Sequence, residues 1–113
     1  MQSRTISWLK RALRDFEAFP VEVQRNMRRA LSAAAEGGKS DKAKPFKGVG
    51  AGVFEIALRH QGDAYRVIYA LRVGVDVWVI HAFQKKSKRG IKTPQAEVSL
   101  IRERLKRLRE LLS

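Results

Sequence analysis

Apolar positions in the first third of the chain recur at helical spacing. Leu13, Phe16 and Phe19 stand three apart in residues 10–19, and Val23, Met27, Ala30, Leu31 and Ala34 form one stripe after Pro20. That period predicts two amphipathic helices, with Pro20 closing the first or opening the second as its first residue. Gly37 and Gly38 suit the second helix's C-terminus, where backbone turning left-handed favours glycine. Ahead of the hairpin, "RTISWL" (4–9) reads as a short strand or the first turn of a helix, and the strand is preferred.

From residue 53 the period changes to two. "VFEIALR" (53–59), "AYRVIYALR" (64–72) and "VDVWVIHAF" (75–83) are joined by "HQGD" and Gly74, which predicts antiparallel hairpins. In the first strand Phe54, Ile56 and Leu58 oppose Glu55 and Arg59; in the second Tyr65, Val67, Tyr69 and Leu71 oppose Arg66, Ile68 and Arg72. One face is therefore expected to be core and the other partly polar. The third strand is apolar on both parities, so it should be covered on both faces and central. Its cover is the last helix, with Thr93 as N-cap, Pro94 at the first position, Glu97 in the early turns, and Val98, Ile101, Leu105, Leu108 and Leu112 as the buried stripe. Residues 37–52 hold glycine, lysine and few apolar side chains, which predicts a mobile basic loop carrying Lys47. Within it "GVGAG" (48–52) precedes a strand rather than a helix, the wrong context for a phosphate loop. The fold class is α+β: a short N-terminal strand and helical hairpin, a three-stranded antiparallel sheet and a C-terminal helix. Residues 1–113 are expected to form a single domain.

Charge changes this picture from a generic small domain to one with a polyanionic partner. The 113 residues carry 24 Lys plus Arg against 11 Asp plus Glu, a formal net charge of +13. The excess is steepest at the end, where residues 84–113 hold ten basic and three acidic side chains. Such an imbalance is the electrostatic footprint of nucleic-acid binding. No cysteine is present, which removes disulfides and thiolate metal sites and suits the reducing cytoplasm, the expected location. No apolar run is long enough to span a bilayer, and the first residues lack the apolar core of a secretory signal, so no membrane is expected as partner.

The chemistry-bearing residues are few. His60 and His81 are the only histidines, and scattered carboxylates make a metal site unexpected. Serine and cysteine triads lack their parts. What remains is a group of cations at strand ends: Arg59 closing one strand, Arg66 opening the next, and Lys85, Lys86, Lys88 and Arg89 following the third in "HAFQKKSKRG" (81–90). Antiparallel pairing would bring these ends together, and cations held on a rigid sheet can grip a phosphodiester. Singly, each reads as a solvated surface charge; together they point to a polyanion. His81 lies inside an apolar strand, where a hydrogen-bonded core histidine is the plainer reading and an acid or base the sharper one. Tyr65 and Trp78 can stack on bases or fill the core.

The stretches "FEIALRHQGDAYRVIYAL" and "VWVIHAFQKKSKRGIKTP", followed by a charged helix, resemble the RelE superfamily, specifically the HigB-like, phage-derived toxins of type II toxin–antitoxin modules. The most specific pieces are Tyr65–Arg66, Phe83 to Lys88, and Lys92 to Pro94. The resemblance implies a toxin that cuts mRNA on the 70S ribosome without metal or cofactor, neutralised by a cognate helix-turn-helix antitoxin. It implies that Arg66 and Lys85 contact the scissile phosphate, supported by Lys86 and Arg59, and that Lys47, Tyr65, Lys88, Arg89 and Lys92 contact RNA. Lys85 or Lys86, crowded by other cations, is then a conceivable base. The chain departs from the family in having no Tyr or His after Phe83, which leaves a lysine, His81 or the ribosome to serve the proton transfers. Charge reversal at Arg66 is expected to abolish cleavage without unfolding the chain. Two other readings stand beside this one: a non-catalytic RNA- or ribosome-binding module, and a protein whose basic last helix docks on a membrane or an acidic partner.

Overall fold

The computed structural model describes residues 3–85 and 93–112. A short strand β1 (Ile6–Trp8) leads into helices α1 (Lys10–Glu17) and α2 (Val21–Ala35); strands β2 (Ala43–Pro45), β3 (Val53–His60), β4 (Asp63–Ala70) and β5 (Val77–Lys85) follow, and α3 (Gln95–Leu112) closes the chain. The helical hairpin turns at Pro20, whose carbonyl accepts the first bond of α2 from Gln24 N–H, while the Gln24 side-chain amide donates to the Glu17 and Phe19 carbonyls left open at the end of α1. Gly37, at φ 91°, and Gly38 end α2 as expected: their N–H groups donate to the Ala34 and Ala33 carbonyls, the paired bonds of a Schellman motif.

The strands form one five-stranded sheet in the order β1-β5-β4-β3-β2. It is mixed, because β1 runs parallel to β5 while the other pairs are antiparallel. The expected three-stranded antiparallel sheet is thus only its middle. The short N-terminal strand stands where it was expected, as β1, but it joins the sheet beside β5; the element that was missed is β2, three residues inside the stretch expected to be a loop. That stretch is anchored rather than mobile, because Ala43, Phe46 and Val49 are buried and apolar side chains spaced three apart give it contacts to pack with. The central strand is β4, not β5; β5 lies beside it, enclosed by β1. β5 also starts later than expected, at Val77, since residues 71–76 form the connection. Val75 there is 82% exposed, and the Arg4 guanidinium holds the segment by donating to the Val75, Leu71 and Asp76 carbonyls.

Both faces of the sheet are core. On one, α1 and α2 cover Ile56, Tyr65, Val67, Tyr69, Val77, Val79 and Ala82. On the other, Ile101, Leu105 and Leu108 of α3 join Val53, Ile68, Ala70, Ile80 and Phe83. The second face is partly polar, as alternation suggested, with Glu55, Arg59, Arg66 and Lys85 on it, but it also carries a second apolar core. Leu112 of the expected α3 stripe is 45% exposed.

A bulge interrupts β5. Ile68 pairs with His81 but Tyr69 pairs with Val79, so Ile80 is an extra residue and both it and His81 turn toward α3. Without it, His81 and Trp78 could not share that side.

Candidate nucleic-acid interface

The sheet register decides which cations meet. Arg59 pairs with Ala64, and Ala64 with Lys85; one step inward, Ala57 pairs with Arg66, and Arg66 with Phe83. Residues directly opposite one another, and residues two apart along a strand, share a face. Arg59, Arg66 and Lys85 therefore lie on the α3 side at one end of the sheet, across three adjacent strands. Arg59 is exposed and Lys85 half-buried. Lys86, Lys88, Arg89 and Lys92 lie outside the described residues. Lys47 is exposed in the connection between β2 and β3, and sequence register alone does not bring it to the row.

Arg66 is not a free cation. Its Nη1 donates to Glu55 Oε2 at 2.8 Å, with the two side chains 12% and 3% exposed. Glu55 lies one step further inward on β3 and is also approached by Lys44 Nζ of β2 at 3.9 Å from Oε1. Sequence reasoning missed Glu55, which looked like an outward polar position; the only signal was its place two residues ahead of Ala57, on Arg66's parity. The pair runs against the expectation that Arg66 tolerates charge reversal, because a second carboxylate would face Glu55 in a buried site.

Tyr65 points the other way. It is 7% exposed on the α1 side, edge-on to Phe19 at 5.0 Å between ring centres, so it serves the core and is not offered to a base. Trp78 likewise packs against the α3 core.

His81 is the core histidine of the plainer reading. Its Nε2 lies 2.6 Å from Glu97 Oε1 and its Nδ1 2.9 Å from Arg104 Nη1, which also donates to the Ile80 carbonyl. Arginine can only donate, so Nδ1 accepts and the proton sits on Nε2, facing Glu97. Burial, aided by Arg104, draws the His81 pKa down against the opposing pull of Glu97 and Asp15. The ring is thus held neutral with both nitrogens engaged, and it links β5 to α3.

Beside it a cleft of about 340 Å³ opens along β5 between α1 and α3, lined by Asp15, Phe19, His81, Phe83, Gln84 and Glu97. Two carboxylates make this hollow unwelcoming to phosphate, so the row of cations, rather than the cleft, is the candidate backbone site. Among the described residues no group of His, Asp and Glu is arranged to hold a metal, and no helix is long and apolar enough to cross a membrane.

Comparison with known proteins agrees with the architecture. Residues 14–106 match the family described as Phage derived protein Gp49-like. No curated protein is matched at the sequence level. Among solved structures, a double mutant of the E. coli toxin RelE in the free state superposes with a TM-score of 0.63 at 20% identity, covering 94% of this chain and 98% of that one. The isolated E. coli RelE toxin gives 0.59 at 22% identity, covering 89% and 99%. The resemblance to the RelE superfamily read from the sequence thus holds at the level of fold, and with a family match across 14–106 the chain belongs to the phage-derived Gp49-like family.

Proposed function

We propose that the protein is the toxin of a type II toxin–antitoxin module, a HigB-like endoribonuclease that cuts mRNA on the ribosome in the cytoplasm and is held in check by a helix-turn-helix antitoxin. The observation that carries this is the register that lines up Arg59, Arg66 and Lys85 on one face. Guanidinium and ammonium groups on a rigid sheet lose little freedom when they engage a phosphate, and they favour the extra negative charge of the transition state. The two solved relatives, both described as the toxin RelE, support the same reading.

In the proposed reaction the RNA 2′-hydroxyl loses its proton to a base and attacks the adjacent phosphorus; the 5′-oxygen leaves with a proton from an acid, giving a 2′,3′-cyclic phosphate. Arg66 and Lys85 hold the non-bridging oxygens, and Arg59 extends the contact along the backbone. His81 is a poor candidate for either proton transfer, since both ring nitrogens are occupied. Lys85 or Lys86 keeps the role of base that the resemblance implies, and the acid is a second lysine or a group of the ribosome.

A second reading, a non-catalytic RNA- or ribosome-binding module, is favoured by the engagement of His81 and the pairing of Arg66 with Glu55. A defined mRNA in a translation reaction, with and without ribosomes, separates the two. Ribosome-dependent 5′ ends that vanish with Arg59→Glu plus Lys85→Gln support the toxin; intact mRNA on stalled ribosomes supports the binding module. For either, Arg59→Ala should lower the steepness of the binding-versus-salt plot by roughly 0.7 for one lost single-strand phosphate contact.

A further inference from the structure

We infer that Glu55 is a positioning residue for the phosphate site: it takes the Nη1 end of Arg66 and so presents the guanidinium's opposite edge, Nε with Nη2, to a phosphate group. The inference rests on the reading of Arg66 as a phosphate contact. It adds what orients that contact and which edge is used.

A buried carboxylate beside a row of cations needs a reason. Charged pairs in a core are costly to desolvate and are often no more stabilising than apolar side chains of the same shape. Glu55 is 2% exposed, on a face otherwise lined with Val53, Ile68 and Phe83, where a pair of apolar residues would pack without that cost. Arg66 shows a second oddity. Its Nε is buried and has no hydrogen-bond partner among the described residues, whereas nearly all such groups in folded proteins are paired.

The two oddities explain each other. A guanidinium offers two forks, and the side-on fork made by Nε–H and Nη2–H matches the spacing of two phosphate oxygens. The ion pair uses Nη1 and leaves Nε without a partner among the described residues, while fixing the plane of the group. Lys44 Nζ lies 3.9 Å from the other carboxylate oxygen. Strand register places Arg66 on the side shared with Arg59 and Lys85. Orientation is set in the folded chain before the ligand arrives, which spares the ordering cost at the moment of reaction.

The test follows the Arg66 Nε–H signal by ¹⁵N NMR during titration with inorganic phosphate and with a short RNA oligonucleotide, in wild type, Glu55→Gln and Glu55→Ala. Glu55→Gln keeps an acceptor oxygen and is the rescuing variant; thermal melts confirm which variants are folded. The Nε–H resonance should move in wild type and Glu55→Gln, with apparent affinity within about threefold of each other. Glu55→Ala should lose the shift, or weaken binding on the order of tenfold. On ribosome-bound mRNA, Glu55→Ala should lower kcat by on the order of a hundredfold with little change in KM, the cost of misplacing a reacting contact. In an Arg66→Met background the same substitution should cost nothing further. An Nε–H signal that ignores both ligands, or a kcat penalty that persists without Arg66, overturns the inference. A wild type whose Nε–H responds while mRNA stays uncut overturns only the cleavage reading.

Discussion

Glu97 Oε1 accepts the Nε2–H of His81 at 2.6 Å, on the ring edge opposite the one that accepts from Arg104. This pair, with Arg104, ties the first turns of α3 to β5, and it carries a pH dependence. The folded-state His81 pKa lies below the ordinary 6.5, first because of burial and then because of Arg104. The unfolded chain therefore takes up a proton before the folded one does. Stability is full above about pH 6.5 and falls as pH drops below it. Thermal melts from pH 7.5 to 5 should show this decline, and His81→Gln should show a smaller one. Equal slopes in both proteins would remove His81 as the cause.

Losing the acceptor should matter at neutral pH as well. Glu97→Ala leaves the buried Nε2–H unpaired and should cost about 1–3 kcal/mol in urea unfolding. Glu103→Ala, one helix face away, removes only the exposed pair with Arg107 and should stay within about 0.5 kcal/mol of wild type. Similar costs for the two would mean that the His81 link contributes no more than a surface pair.

The buried pair and the exposed cation at the site should separate under charge reversal. Arg66→Glu places a second carboxylate against Glu55 and should destabilise the fold by about 3–5 kcal/mol. Arg59→Glu, on an exposed side chain, should change stability by less than about 0.5 kcal/mol while weakening RNA binding. Chemical unfolding of both variants checks the contrast.

Leu31, on the α2 side, and Leu105, on the α3 side, are 0% and 1% exposed and belong to different cores. Each truncation to Ala should cost about 2–5 kcal/mol by opening a cavity. With the sheet between them the costs should add to within about 0.5 kcal/mol in the double variant. Strong non-additivity would show the sheet transmitting repacking from one face to the other.

The β3–β4 hairpin turns at Gln61 and Gly62, both at positive φ, 50° and 87°, the requirement of a type I′ turn. Gln61 is the one non-glycine described residue in that region of backbone space, so Gln61→Asn should raise stability by a few tenths of a kcal/mol. Gly62→Ala should lower it by about 1 kcal/mol. Melting temperatures moving in opposite directions are the expected result.

What the sequence determined by itself is everything written in local periodicity. The α1, α2 and α3 stripes, the Gly37–Gly38 stop and the β3–β4 turn depend on neighbours a few residues apart, and they stand where the pattern put them. The meeting of Arg59, Arg66 and Lys85 was legible for the same reason, since strand direction and hairpin length set which ends meet. Only the tertiary structure decided the rest. The three-residue β2 shows no period of its own and exists through the neighbour that completes its hydrogen bonds, and the parallel pairing of β1 with β5 is likewise set by the sheet. Glu55 read as an outward polar residue because alternation says which residues share a face but not which of them are buried. Its burial, and its pairing with Arg66 of the neighbouring strand, belong to the folded sheet. The bulge at Ile80 is likewise a property of the pairing, and it turns His81 toward Glu97 and Arg104, partners that no local pattern in β5 contains.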